Sequence, residues 1–385
     1  MEITNNIKYI GCDDTDLDLF ESQYKVPNGV SYNSYLILDE KVAVLDTIDH
    51  RKSEEWFKNL ENNLNGRDVD YLIVSHLEPD HSANIKALCD KYPNAKLVLS
   101  KKALDMLPQF FQIANLDSRA IVVKEGDTLS LGEHTLTFIM APMVHWPEVM
   151  VEYESKEKIL FSADGFGKFG ALACDEPWVD EARRYYINIV GKYGGPVAAL
   201  LKKAQGLDIK MICPLHGPIL KENLGYYLDL YSKWATYTPE CDGVLVVSAS
   251  IHGYTKDIAL NFYNELKNNN VNTSFVDITR CDMASAVALA FKYSKMVLAC
   301  STYDGKMFSP MEDFLNRLSS KGYQKRTVGL IENGTWAPMA KKCMIDLLGN
   351  MKDVTILDQT VTVKTTLNDE SKGALIALLD SIKNS

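Results

Sequence analysis

The sequence predicts an α/β protein of two domains, from its length and from a change in its pattern near Pro239. The chain has 385 residues, more than one small hydrophobic core usually accommodates. Before Pro239, turn signals separate many short predicted strands, as in a strand-rich α/β domain with helices outside packed sheets. After it, strands and helices alternate regularly, which is typical of a doubly wound parallel sheet. We therefore predict a first domain at residues 1–239 and a second at residues 240–385.

Composition and charge indicate a soluble globular protein that binds neither nucleic acid nor membranes. Hydrophobic residues make up 46% of the chain and charged residues 24%, and the net charge is -10. That charge argues against a partner held by phosphate contacts. No apolar run approaches membrane-spanning length, and the N-terminus lacks a signal-peptide pattern. The eight cysteines are scattered without a C-x-x-C pair, which argues against a cysteine metal site and favours the cytoplasm.

A cluster of metal-ligating side chains follows a predicted buried strand in the first domain. The short apolar run Leu72–Val74 is flanked by polar residues, as expected for such a strand. Bunched carboxylates repel each other and resist burial, and a cation removes both costs. A helix is predicted to follow, with Asp80 or Ser82 as its N-cap. The pattern therefore predicts a metal cradle on the turn after the strand, formed by His76, Glu78, Asp80 and His81.

Three later polar residues occupy comparable positions, just beyond the ends of predicted strands. His145 lies in a loop after a strand, Asp164 follows the strand Ile159–Ala163, and His216 lies between prolines after the strand Ile209–Cys213. Because strand ends can meet at one edge of a sheet, these residues are predicted to converge with the first cluster.

The second domain carries a predicted phosphate site in its first strand-to-helix turn. Hydroxyl groups and a glycine open the helix there, where free N–H groups and the helix dipole favour an anion. In a doubly wound sheet this turn lies near the ligand-binding switch point. The predicted binding residues are Ser248, Ser250, Ile251, His252, Gly253, Tyr254 and Thr255.

Two further strand-end loops extend this predicted site. Each contains an aromatic side chain suited to covering a flat ring, Tyr303 in one loop and Trp336 in the other. The predicted contacts from these loops are Ser301, Thr302, Tyr303, Asp304, Gly305, Asn333, Gly334, Thr335 and Trp336.

The ligand order H-x-[HE]-x-D-H, followed by His, Asp and His, resembles that of the metallo-β-lactamase fold. In hydrolases of this fold the second position is usually His, whereas here it is Glu78. Nearly the whole chain resembles the flavodiiron proteins, also called A-type flavoproteins. The resemblance also rests on four stretches in family order: Gly29–Ile37, Phe161–Gly167, Glu181–Tyr186 and Ile212–Pro218. It implies a metallo-β-lactamase-like αββα domain followed by a flavodoxin-like domain that binds FMN.

The same resemblance implies a di-iron site. Four imidazoles and three carboxylates without a thiolate suit iron better than zinc. Asp304 stands where the family often has Asn, and Trp336 is followed by Ala337-Pro338 instead of glycines, which leaves the redox tuning of the flavin open. The implied ligands are His76, Glu78 and His145 for one iron, Asp80, His81 and His216 for the other, and Asp164 between them.

The implied function is reduction of dioxygen to water, of nitric oxide to nitrous oxide, or of both. The metals activate the diatomic substrate, so no catalytic residue beyond the ligands is required. FMN would relay electrons from a separate donor such as rubredoxin, because no rubredoxin-like segment is recognised in the sequence. A head-to-tail homodimer, or a dimer of such dimers, would bring the flavin of one chain to the irons of the other.

Two alternatives are weighed against this function. One is a zinc hydrolase of the metallo-β-lactamase fold that carries a flavodoxin-like domain, and Glu78 argues against it. The other is a flavin electron carrier with a degenerate first domain, which the full set of seven ligands disfavours. The ligand set is common to both gas chemistries, so the sequence leaves the preference between dioxygen and nitric oxide open.

Overall fold

The structure, a computed structural model, describes residues 2–385 and divides them into two compact units. The first unit contains the residues up to Tyr186 together with Gly195–Ser232. The second contains Ile187–Gly194 together with Lys233–Ser385. The division at Pro239 remains a prediction about where an autonomous flavin-binding fragment begins.

The first unit is rich in short strands. In chain order they are β1 (Ile7–Tyr9), β2 (Cys12–Asp14), β3 (Leu19–Phe20), β4 (Tyr24–Lys25), β5 (Val30–Tyr32), β6 (Tyr35–Leu38), β7 (Val42–Leu45), β8 (Tyr71–Val74), β9 (Lys96–Ser100), β10 (Ala120–Val123), β11 (Thr128–Ser130), β12 (Thr135–Met140), β13 (Met150–Glu154), β14 (Ile159–Phe161) and β15 (Met211–Cys213).

Helices connect many of these strands, and two of them cross the division between the units. They are α1 (Ser53–Leu64), α2 (Pro79–Ser82), α3 (Ile85–Lys91), α4 (Lys101–Met106), α5 (Leu116–Arg119), α6 (Trp178–Tyr185), α7 (Gly194–Ala204) and α8 (Leu224–Ala235), with a π-helical turn at Tyr186–Val190 and 3₁₀ turns at His50–Lys52, Leu107–Gln109 and Gly191–Tyr193.

Two sheets form the centre of the first unit. One has the strand order β1-β6-β7-β8-β9-β10 and the other the order β11-β12-β13-β14-β15. Strands β7 to β10 run parallel, and β14 pairs in parallel with β15. Ile73 and Val98 of the first sheet belong to the same buried cluster as Phe138 and Phe161 of the second. The two sheets therefore share one apolar core.

Strand β8 and the turn after it follow from the local sequence. Leu72, Ile73 and Val74 are all buried, as expected for a parallel strand covered on both faces. The N-cap prediction was wrong, because Glu78 and Asn84 occupy the N-cap positions of α2 and α3. Pro79 explains the earlier start of α2, since proline fits the first helical position, where the missing N–H would be unpaired anyway.

The second unit alternates strands with helices. Its elements are β16 (Cys241–Ala249), α9 (Tyr254–Asn268), β17 (Thr273–Asp277), α10 (Met283–Lys292), β18 (Tyr293–Tyr303), β19 (Lys306–Met307), α11 (Ser309–Ser320), β20 (Arg326–Asn333), α12 (Ala340–Leu348), β21 (Val354–Val363) and α13 (Asp369–Asn384).

The main sheet of the second unit is parallel throughout, with the order β17-β16-β18-β20-β21. The order reverses direction beside β16, the first strand, as in flavodoxin-like doubly wound sheets. This arrangement confirms the predicted doubly wound α/β sheet.

Among residues 2–385, no helix combines the length and the apolar character that crossing a membrane would require.

Candidate metal centre and cofactor pocket

Four separate segments bring the seven predicted ligands together within the first unit. The loop after β8 and the helix α2 supply four of them, and the connections after β12, β14 and β15 supply the other three. The ligand atoms lie within 4.8 Å of one another in each of two groups. One group is His76, Glu78, His145 and Asp164, and the other is Asp80, His81 and His216.

Asp164 faces both groups, one with each carboxylate oxygen. Its Oδ2 lies 3.1 Å from His145 Nε2 and 3.4 Å from His76 Nε2. Its Oδ1 lies 3.1 Å from His81 Nε2, in the other group. Glu78 Oε2 completes the first group, 2.9 Å from His145 Nε2. A single carboxylate is thus placed to bridge two cations.

The second group is equally close. His81 Nε2 and His216 Nε2 lie 3.1 Å apart, and Asp80 Oδ2 is 3.2 Å from His216 Nε2. If both rings are neutral and both Nε2 atoms are unprotonated, their lone pairs repel each other at this distance. A cation between the two rings would accept both lone pairs and remove the repulsion.

The buried carboxylates of the site fit metal binding. Neither oxygen of Asp80 nor of Asp164 accepts a hydrogen bond, although both side chains are buried. Burying an ionised carboxylate is costly unless it is paired or coordinates a metal. Four imidazoles and three carboxylates without a thiolate form a donor set that suits iron.

Hydrogen bonds behind the ligands orient two of the imidazoles. His76 Nδ1 lies 2.8 Å from Glu148 Oε1, and His216 Nδ1 lies 2.8 Å from the Ser31 carbonyl oxygen. Each contact directs the Nε2 atom of the ring toward its ligand group. The Asn33 amide donates to the carbonyls of Pro214 and Gly217, which holds the loop of His216. Glu148, Ser31 and Asn33 were not predicted from the sequence, because no local spacing marks a residue that positions a ligand distant in the chain.

Electrostatics in the site favour ionised carboxylates. Burial raises the pKa of Asp164, but the neighbouring His81 and His145 outweigh it and hold that pKa well below its usual range. Burial lowers the pKa of His81, but Asp80 and Asp164 raise it to about 9. A bound cation would displace the imidazole protons, so metal affinity is expected to fall at low pH.

Two buried acidic residues, Glu152 and Asp46, hold Ser75 at the start of the His76 loop. Ser75 Oγ donates to Glu152 Oε2 at 3.0 Å, and the backbone N–H of Ser75 donates to Asp46 Oδ1 at 2.8 Å. Burial and the neighbouring Asp46 raise the pKa of Glu152 well above its usual value. This shift favours the protonated form of the Glu152 carboxyl. Burial also raises the pKa of Asp46, to about 6.

The second unit contains an open pocket of about 500 Å³ at the ends of its strands. Fourteen of the sixteen predicted cofactor contacts line it; Ser248 and Gly253 do not. Ser248 is buried in β16, one strand residue short of the pocket. Gly253 is the N-cap of α9 with φ of 97°, a left-handed conformation that favours glycine.

Hydrogen bonds and a tight turn shape the pocket. Thr255 Oγ1 and Ser301 Oγ lie 2.8 Å apart and join two of the loops. Asp304 and Gly305, both with positive φ, form the two-residue turn between β18 and β19. That turn presents Tyr303 at the rim, where it is 51% exposed.

Two further residues line the pocket that were not predicted from the sequence, Ala337 and Thr365. Thr365 comes from the loop after β21, and its backbone N–H donates to Asn333 Oδ1 at 2.9 Å. The Asn333 amide in turn donates to the Thr365 carbonyl at 3.1 Å. These two loops meet only in the folded sheet, so no local sequence pattern predicts the contact between Asn333 and Thr365.

Comparison with known proteins shows which sequences the chain resembles. Residues 30–217 match the family model described as "ODP family beta lactamase". A putative diflavin flavoprotein of Nostoc is 29% identical over 87% of this chain, which spans only 58% of that relative's length. An anaerobic nitric oxide reductase flavorubredoxin of Vibrio vulnificus is 28% identical over 87% of this chain and 70% of its own length.

Solved structures agree over nearly the whole chain. The flavodiiron protein of Giardia intestinalis superposes with a TM-score of 0.91 at 24% identity, covering 99% of this chain and 95% of its own. The rubredoxin oxygen:oxidoreductase of Desulfovibrio gigas gives a TM-score of 0.89 at 23% identity, covering 100% of this chain and 98% of its own. The predicted metallo-β-lactamase-like and flavodoxin-like folds are confirmed. Over nearly its whole length, the chain is therefore similar in fold to the flavodiiron proteins.

We predict that Glu152→Gln will flatten the dependence of stability on pH. At low pH the Glu152 carboxyl is protonated in both states; as pH rises, the unfolded chain releases the proton first. The free energy of unfolding of the unaltered protein therefore falls with rising pH, by up to about 1.4 kcal/mol per pH unit from this group. Urea unfolding of chelator-treated protein at pH values between about 5 and 8 measures the slope.

The matched control is Glu54→Gln, which removes an exposed carboxylate on α1. Its slope should parallel that of the unaltered protein. An unchanged slope for Glu152→Gln would show that Glu152 is ionised when folded.

Proposed function

We propose that the protein is a flavodiiron reductase of dioxygen, nitric oxide or both, with two irons in the first unit and FMN in the second. The observation that carries this proposal is Asp164, whose two buried oxygens face separate groups of ligands. A mononuclear hydrolytic site would need only one such group. The seven residues that would hold the irons are His76, Glu78, Asp80, His81, His145, Asp164 and His216.

The bound groups would supply the redox chemistry: the irons two electrons and adjacent binding positions for the gas, and FMN further electrons. The protein's own residues fix the geometry and neutralise charge. Glu148 and the Ser31 carbonyl hold their imidazoles in position. Aromatic rings limit water at the site: Trp146 packs 5.3 Å from the His76 ring, and Phe20 packs 5.4 Å from the His216 ring.

The names of the relatives support the choice of substrates and donor. One relative is called a nitric oxide reductase, and one structural neighbour is called a rubredoxin oxygen:oxidoreductase. Both names include rubredoxin, so we propose a rubredoxin-like electron carrier as the donor. The scattered free cysteines support a reducing, cytoplasmic setting.

The pocket of the second unit is the proposed FMN site. The first turn of α9 would bind the phosphate, with Thr255 and Ser301 as hydroxyl donors. The isoalloxazine ring would lie between the loops that carry Tyr303 and Trp336. Of the sixteen proposed contacts, Ser248 and Gly253 would act by supporting the loop.

We expect Asp164→Asn to lose the iron pair, because it removes the one charge that faces both ligand groups. Protein purified anaerobically should contain about two irons per chain before the change and lose at least about one after it. Reduced protein is then exposed to each gas separately. The rate of consumption should fall about tenfold or more, while bound FMN is unchanged.

The control is His50→Asn, since the His50 side chain is 79% exposed. It should retain both irons and full activity. Zinc in both positions in protein from iron-replete cells, or an Asp164→Asn protein that keeps two irons, contradicts the proposed centre.

Thr255→Val should weaken FMN binding by removing a hydroxyl near the phosphate. The expected loss is roughly 1–3 kcal/mol, as for a hydrogen bond to a charged acceptor. Titration of flavin-free protein by flavin fluorescence measures it. Riboflavin, which lacks the phosphate, should bind both proteins equally, and the exposed-strand variant Thr355→Val should not differ. Equal losses for FMN and riboflavin would place the phosphate elsewhere.

We further propose a head-to-tail homodimer or a dimer of such dimers. Trp336 is 89% exposed at the mouth of the pocket, close to the half-exposed Tyr303, and such apolar surface suits a protein partner. Sedimentation velocity at assay concentration should show a dimer or tetramer. A monomer with full activity would rule out the assembly.

A further inference from the structure

A small apolar cavity in the first unit is lined in part by chain neighbours of two predicted metal ligands. Its volume is about 30 Å³, room for one small molecule. Strands β12, β13 and β14 form one side, and helices α7 and α8 form the other. Aliphatic and aromatic side chains dominate its lining, among them Ile139, Val151, Leu160, Phe166, Val197 and Leu201.

The side-chain hydroxyls of the lining are already engaged. Among the lining residues, Ser162 and Tyr231 alone carry a polar side chain. Ser162 Oγ donates to the Gly165 carbonyl at 2.6 Å, and the Tyr231 hydroxyl accepts the Phe166 N–H at 2.5 Å. A buried water needs two to four polar partners, whereas an apolar cavity stays dry and takes apolar guests such as xenon. The cavity is therefore suited to an uncharged, weakly polar molecule.

The position of the cavity connects it to the metal centre. Val144 and Gly165 belong to its lining, and they directly adjoin the predicted ligands His145 and Asp164 in the chain. The lining extends to α8, where Leu228 is 37% exposed. The lining thus includes both a partly exposed residue and the chain neighbours of two predicted ligands.

We infer that this cavity is a docking site for the diatomic gas on its path from solvent to the metal centre. The inference rests on the proposed function, because it takes the substrate to be dioxygen or nitric oxide. Both gases are small, uncharged and weakly polar, and so they partition into apolar surroundings, whereas ions and water do not. The cavity would hold the gas beside the site without admitting water by the same route.

Xenon tests the cavity independently of catalysis. Crystals of the full-length protein under xenon pressure should show an anomalous peak among Ile139, Phe166 and Leu201. Ala204→Phe, which places a ring at a lining position, should remove the peak. Ala199→Phe, the same change at an exposed position of α7 outside the lining, should retain it. Absence of xenon from the cavity of the unaltered protein would overturn the inference.

Gas kinetics test the path. At limiting gas, Ala204→Phe should lower the second-order rate constant about tenfold, within the range over which association rates of related proteins vary. Iron content and turnover at saturating gas should be unchanged. Leu201→Ala enlarges the cavity, so it should increase xenon occupancy without slowing the reaction. This second variant keeps the inference testable if Ala204→Phe does not fold.

Two results separate the inference from the proposed function. Loss of xenon in Ala204→Phe with an unchanged rate constant would overturn the path and leave the reductase intact. Xenon in the cavity of an iron-loaded protein that consumes neither gas would support the apolar site and overturn the proposed function.

Discussion

The buried carboxylate of Asp164 is the constraint on which the candidate site depends. Its two oxygens accept no hydrogen bond, and each faces the ring nitrogens of a different ligand group. Such a charge is unfavourable in a protein interior unless cations or protonated imidazoles compensate it. A pair of metal ions would compensate both oxygens and would be held by all four imidazoles. The seven side chains are therefore arranged as the protein ligands of a metal site.

Two sheets with a common core provide the rigidity that this constraint requires. Strands β8, β14 and β15 each end just before a ligand, and their side chains are largely buried. The loops beyond them are held by specific hydrogen bonds, such as those from Asn33 to the loop of His216. Glu152 and its hydrogen-bond partner Ser75 support the start of the His76 loop in the same way. Packing fixes where the strands end, and the polar contacts aim the side chains.

Local patterns in the sequence predicted the architecture well because each signal lies within one element. The apolar run of β8 and the regular alternation after Pro239 led to the α/β fold that the structure shows. The strand-end residues were predicted to converge, and the structure brings all seven ligands into two groups. The predicted N-caps at Asp80 and Ser82 failed, because Pro79 starts the helix earlier than polar spacing suggests. Glu148 and Thr365 were missed since their roles exist only between segments distant in sequence.

Anomalous diffraction at the iron absorption edge, on crystals of anaerobically purified protein, tests the central claim most directly. The account predicts two iron peaks per chain, one among His76, Glu78 and His145 and the other among Asp80, His81 and His216. Asp164 should contribute one oxygen to each. A single peak, or peaks that appear at the zinc edge and not at the iron edge, would contradict a di-iron centre.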